Sequence, residues 1–343
     1  MTRFKAVLLG LLIVLAVAGA AVFHLWRGVA VPYQGFTGEQ FVIVEPGTSV
    51  AAIGRSLAAA GVVRDERSFR LAVRVSGDAA RLQAGEYRFA EPATAYEVVN
   101  RIARGDVYVR AITFPEGRTL AEMAEIFEAR GFGTVDAFKA AAQNVALIAD
   151  WDADARDLEG YLFPSTYNLP RNADANALIA LMVQSFRRTF DTDLRAAAEA
   201  AGLTVREAVT MASLVEEEAQ IADERPVISA VYHNRLRIGM GLQCDATVIY
   251  ALQREGRWNG NLTRADLAMD SPYNTYRYRG LPPGPIANPG RASLEAAVRP
   301  ADAPYIYYVS RNDGSHVFAT TLQEHNRNVH EWQIRYFRER RRN

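Results

Sequence analysis

Ile112-Thr-Phe-Pro-Glu-Gly-Arg-Thr119 is the stretch from which the architecture can be read. A short apolar strand runs into a Pro-Glu-Gly turn and then into Thr119, which Glu122 follows three residues later. That spacing is the capping box that opens a helix. The same theme occurs at Phe41-Val-Ile-Val-Glu-Pro-Gly-Thr48 and at Tyr87-Arg-Phe-Ala-Glu-Pro-Ala-Thr94, where Glu97 completes a second box. Between these two copies, Phe69, Leu71, Ala72 and Val75 stand at helical spacing over Glu66 to Val75, with Gly77 just beyond. Short strands feeding capped helices imply an α+β fold.

Working outward, the N-terminal run Ala6 to Trp26 lacks acidic and strongly basic side chains, and as a helix it is long enough to cross a hydrocarbon core of about 30 Å. Arg3 and Lys5 precede it, which orients the N-terminus to the cytoplasm and everything after Trp26 outside. Ala18-Gly19-Ala20 also has the small-x-small form of a processing site, so a cleaved signal peptide is the competing reading. A Gly- and Pro-bearing tether follows. From Ile112 long helices appear, and after Leu236 the chain turns rich in Gly, Pro, Asn and Tyr, the composition of loops that display binding groups. The expected organisation is an anchor over residues 1–27, a tether over 28–40, an α/β module over 41–110 and a mixed α+β domain over 111–343.

With 343 residues the chain exceeds one average domain. Lys+Arg and Asp+Glu both total 39, so no net field recruits nucleic acid, and none is expected as a partner. Cys244 stands alone and the five histidines lack metal-ligand spacing, so neither a disulfide, a metal nor another cofactor is expected. No G-x-S-x-G elbow is present.

The candidate for chemistry is a carboxylate. Thr204-Val-Arg-Glu207 caps a helix that runs to Glu216-Glu217-Glu218. At 100° per residue Glu216 lies within about 40° of Val205, Val209 and Ala212, an apolar stripe. A carboxyl among such neighbours keeps its proton and can act as a general acid. Met211 and Leu214 fall on the far side, so a solvated face with Glu216 at its edge is the other reading.

Around this helix stand Ala212-Ser-Leu-Val-Glu216-Glu-Glu218, Glu224-Arg225, Val231-Tyr-His-Asn234-Arg235 and Leu242-Gln243-Cys-Asp245-Ala-Thr247. Leu158-Glu159-Gly160-Tyr161 lies upstream; Ser271-Pro-Tyr273-Asn274-Thr275-Tyr276, Pro283-Gly284 and Asn288-Pro289-Gly290 lie downstream. In order and over the whole chain, these resemble the MltG (YceG-like) endolytic murein transglycosylases. The resemblance implies a lyase that cuts peptidoglycan between N-acetylmuramic acid and N-acetylglucosamine, leaving a 1,6-anhydro end, on nascent strands at the cytoplasmic membrane and in the company of peptidoglycan synthases. It makes Glu216 the catalytic residue and Glu218 a supporting one, such as the partner of a nearby arginine. Gln243, Asp245, Tyr273, Asn274, Thr275 and Tyr276 fall on positions expected near the glycan, although core packing is an equal reading for each tyrosine. Cys244 and Ala246 depart from the residues expected beside Asp245, which bears on the local loop shape. The strand–helix–helix–strand stretch over Phe41 to Phe89 is similar to a LysM module, implying either glycan binding or a spacer. A hydrolytic muramidase and a non-catalytic wall-binding scaffold are the alternatives.

Overall fold

The computed structural model describes the backbone of residues 2–340 and the side chains of residues 8–20, 23, 26–338 and 340. The chain forms two compact units, residues 1–110 and 111–343.

The first unit contains α1 (Thr2–Ala30), β1 (Gln40–Val44), α2 (Val50–Ala59), α3 (Glu66–Ser76), β2 (Gly85–Phe89) and α4 (Ala95–Arg104). β1 and β2 are antiparallel, with Val42 opposite Tyr87. Alternation along both strands sends Val42, Val44, Tyr87 and Phe89 inward onto Ile53, Leu57, Phe69, Val99 and Ile102. The Thr94–Glu97 box forms reciprocally, the Thr94 amide donating to Glu97 and the Glu97 amide to the Thr94 hydroxyl. α3 ends where Gly77 turns left-handed at φ 75°. One detail of the expected pattern changes: Val75 faces solvent and Val73 is buried, because the stripe that meets the core is Phe69, Ala72 and Val73.

The expected transmembrane helix is not found within the described residues, among which no helix is long and apolar enough to cross a membrane. The backbone of α1 is helical throughout, but the expected span Ala6 to Trp26 reaches beyond the described side chains at both ends. The unbroken run with described side chains, residues 8–20, covers only about 20 Å.

The second unit is mainly helical: β3 (Arg110–Thr113), α5 (Leu120–Ala129), α6 (Val135–Ala141), β4 (Thr166–Leu169), α7 (Ala175–Thr189), α8 (Thr192–Ala200), α9 (Val205–Glu218), α10 (Arg225–Arg237), α11 (Asp245–Arg254), α12 (Arg291–Val298), β5 (Tyr307–Ser310), β6 (His316–Ala319) and α13 (Leu322–Val329). β3 pairs with β4, and β5 with β6 as an antiparallel hairpin. The α+β class therefore holds, with the sheets reduced to pairs of strands.

α9 is the axis of this unit. It packs against α8, α10, α11 and α12, and every residue from Ala208 to Val215 is buried. Burial of each large apolar side chain contributes on the order of 1.5–3 kcal/mol. Met211 and Leu214 are as enclosed as Val209 and Ala212, so α9 has no solvated face until its last turn. The apolar stripe read from helical phase is part of an all-round apolar surface.

Residues 286–290 are also buried, although they form no helix or strand. A loop can be buried only if its backbone polar groups find partners. Ile286 N–H donates to Ser213 Oγ (3.0 Å), Asn288 N–H to the Arg118 carbonyl (3.0 Å), and the Gly117 N–H donates to the Asn288 carbonyl (3.0 Å). The Asn288 side chain accepts from Leu162 N–H and donates to Glu159 and the Arg118 carbonyl, each at 2.9 Å.

Gly160 tests this packing. Its φ is +85°, and a Cβ there would stand 2.4 Å from Pro285 Cγ and 2.9 Å from Val209 Cγ1. Gly160→Ala should lower unfolding free energy by ~2 kcal/mol or more in chemical denaturation; an unchanged midpoint would contradict the close approach described here.

Candidate active site

The buried body of α9 delivers three consecutive carboxylates, Glu216, Glu217 and Glu218, at its C-terminal turn. Negative charge at that end opposes the helix dipole, and no basic residue of α9 compensates there. Local preference is thus violated where the chemistry of the site is concentrated.

Glu216 is enclosed, its side chain only 7% exposed. Its Oε2 accepts from the Gly290 N–H at 2.9 Å, and its Oε1 lies 3.5 Å from the Arg225 guanidinium. Arg225 is positioned in turn by a hydrogen bond from its Nε to Ser293 Oγ (3.1 Å), with Pro226 setting the first turn of α10. The expected apolar niche is therefore replaced by one backbone donor and one cation.

Glu218 points into a different, polar pocket. The Cys244 thiol donates to its Oε1 at 3.2 Å, and Tyr308 also hydrogen-bonds it. The Tyr308 hydroxyl shares a 3.0 Å hydrogen bond with Tyr232, and the neighbouring His316 ring meets Glu224 at 2.7 Å. Burial raises the Glu218 carboxyl above the usual range, with a smaller push from Asp245, while the hydrogen bonds and His316 oppose it. The arginine expected beside Glu218 stands instead beside Glu216. Glu217 is pushed up to about 7 by burial and by Glu122, Glu216 and Glu218, with Arg118 opposing.

The two sequence segments picked out downstream meet across this pocket. Gln243 is held at φ 50°, a strained backbone for a non-glycine residue, and its N–H donates to the Thr275 carbonyl. The Cys244 N–H donates to Thr275 Oγ1 (3.0 Å), which also pairs with Thr247 (2.9 Å). Asp245, exposed at the start of α11, accepts from the Tyr276 hydroxyl at 2.5 Å. Gln243, Asp245 and Tyr276 thus present polar groups at one surface, while Thr275 is spent inside the loop. Asn274 is fully buried: its amide donates to the carbonyls of Leu267 and Met269, and its Oδ1 accepts from the Tyr276 N–H. It shapes the loop.

Tyr273 faces elsewhere. Its ring packs on Tyr250 at 5.1 Å and under Arg254, and it lines a cavity of about 620 Å³ bounded by Asp152, Arg206, Arg254 and Pro283. The six positions expected near the glycan therefore divide between two surfaces.

Sequence reading missed Glu116. It follows Pro115 in the turn quoted for its strand-to-helix form, and Gly117 of the same turn lies against Glu216 and Glu217, where a Cβ would meet Glu217 Oε1 at 3.2 Å. Burial first, then the charge of Glu216, raises the Glu116 carboxyl, with Arg225 opposing. The repeated Pro-Glu-Gly grammar was a signal of turn geometry alone.

Fold and site together define an α+β protein built around an enclosed carboxylate at the end of a buried helix. Residues 42–331 match the YceG-like family, and the chain belongs to that family. It is 33% identical over 303 residues to the endolytic murein transglycosylase of Bacillus subtilis, covering 83% of this chain and 82% of that one. The endolytic murein transglycosylase of Streptococcus pneumoniae serotype 2 is 28% identical over 320 residues, with 84% of this chain covered; the matched part spans 57% of the pneumococcal protein. A YceG-like protein of Listeria monocytogenes, known from a crystal structure, superposes with a TM-score of 0.58 at 30% identity, covering 84% of this chain and 98% of the other.

Glu159 gives the scaffold a testable pH dependence. Wholly buried, it accepts from Leu120 N–H (2.8 Å) and Asn288, meets the Tyr250 hydroxyl (3.2 Å), and is pushed up to about 8 by burial. The folded chain thus holds this proton more tightly than the unfolded chain, whose carboxyl titrates near 4.5. Its contribution is full below that value and is lost as pH rises through about 8. Glu159→Gln should therefore gain stability relative to wild type between pH ~5 and ~8 in denaturant titrations; a constant difference across that window would contradict a protonated Glu159.

Proposed function

We propose that this protein is an endolytic peptidoglycan lytic transglycosylase in which Glu216 is the general acid and then the base. The observation that carries the reading is the enclosed Glu216 carboxylate, aligned by Gly290 and Arg225, in a chain related over most of its length to proteins named endolytic murein transglycosylases.

Protonated Glu216 donates to the oxygen that bridges C1 of N-acetylmuramic acid and the 4-position of N-acetylglucosamine. As the C1–O bond breaks, positive charge spreads over the muramic ring. The Glu216 carboxylate then removes the proton from the 6-hydroxyl of the same muramic acid, and O6 bonds to C1. The products are a free 4-hydroxyl and a 1,6-anhydro end, with no water consumed. One carboxylate suffices because the nucleophile is tethered to the substrate, which supplies the advantage of intramolecular attack. Gln243, Asp245 and Tyr276 offer amide, carboxylate and phenol partners for sugar hydroxyls.

We place the reaction outside the cytoplasmic membrane, with α1 as a single anchor whose N-terminus is cytoplasmic. In support, α1 has 29 residues, about 43 Å of helix, and Leu8, Leu9, Leu11, Leu12, Ile13, Val14 and Leu15 are all exposed around it. Residues 41–110 act in this reading as a LysM-like wall-binding module, and peptidoglycan synthases as partners that present nascent strands.

Glu216→Gln should cut the release of 1,6-anhydro ends from purified glycan strands by at least ~100-fold, while circular dichroism and wall binding remain those of wild type. Products heavier by one water would identify a muramidase. Undiminished function in the variant would identify a scaffold.

A further inference from the structure

Gly290 has an ordinary backbone, φ −76° and ψ 172°, that any residue could adopt. Its lack of a side chain is required by something else. A Cβ there would stand 2.0 Å from Glu116 Oε1 and 2.6 Å from Oε2. The carboxylate of Glu116 therefore rests on the Gly290 backbone, whose N–H holds Glu216 at 2.9 Å. Two carboxylates from distant parts of the sequence meet across one glycine, with Arg225 beside them.

We infer that Glu116 is a positioning residue that shares a proton with Glu216 across Gly290 and keeps the pair singly protonated in the working enzyme. The inference deepens the reading of Glu216 as general acid and rests on it. Carboxylates packed this closely do not both ionise as readily as either would alone, and they titrate as a pair. Glu116 is exposed and Glu216 enclosed, so Glu116 connects the acid to solvent, from which the proton lost in each misfired cycle returns. The other charges facing the pair are Glu217 and Glu218 on α9, Glu122 on α5, Arg118 before it and Arg225 on α10. The arginines moderate the pair, while the glutamates reinforce retention of its proton. Pro115 and the left-handed Gly117, φ +75°, fix the turn that carries Glu116 to this place.

The test is the pH profile of kcat/KM for anhydro-end formation, measured on purified glycan strands with the full chain. Removing the second carboxylate lets the first lose its proton at lower pH, so in Glu116→Gln the alkaline limb should move toward acid by about one pH unit. Gly290→Ala, whose new methyl displaces the flexible Glu116 side chain, should move it the same way. Glu116→Asp should stay closer to wild type than to the glutamine variant. A Glu116→Gln profile that superimposes on wild type, beside an inactive Glu216→Gln, overturns the inference alone. Activity that survives in Glu216→Gln removes the reading beneath it.

Discussion

The second unit depends on a buried loop that would be too costly to bury without its hydrogen bonds. Residues 286–290 cross the core as irregular backbone, and each unpaired polar group left there would cost about 1–3 kcal/mol. Ser213 of α9, Asn288 with Glu159, and the turn at Gly117–Arg118 meet that demand. Polar networks of this kind are stabilising only when complete, and then they hold a single geometry. The same loop carries Gly290, so the accounting that stabilises the core also fixes the N–H that orients Glu216.

This coupling explains why so rigid an assembly surrounds one carboxylate. α9 is enclosed on all sides, which gives its last turn a fixed origin. Arg225, held by Ser293, approaches from α10, and Glu116 from the turn before α5. Glu218, one residue pair further along, serves a separate network with Cys244 and Tyr308, tying α9 to the loop that displays Gln243 and Asp245 and to the β5–β6 hairpin. Neighbouring glutamates thus have divided tasks because their surroundings differ.

Much of this was legible in the sequence. Capping boxes at Thr94, Thr119 and Thr204 mark helix starts because their chemistry is local. The family resemblance singled out Glu216 and the segments that meet around Glu218. What could not be read was long-range. Helical phase placed Glu216 on an apolar stripe, but a helix packed on every side has no informative phase. The polar partners of Glu216 come from residues 225 and 290, and no spacing rule joins them. Tyr273 and Tyr276, three residues apart, face different surfaces because the buried Asn274 turns the chain between them. Cys244 read as a departure from pattern, whereas its thiol is the donor to Glu218.

The central claim is that the carboxylate held by Gly290 is the one that meets the scissile bond. A crystal structure of the Glu216→Gln protein with a bound glycan strand tests it most directly. The account predicts a bridging glycosidic oxygen within about 2.6–3.2 Å of the residue 216 side chain, with the sugar flanked by Gln243, Asp245 and Tyr276. A strand seated instead in the cavity of Asp152, Arg206 and Tyr273, with no glycosidic oxygen near residue 216, would contradict it.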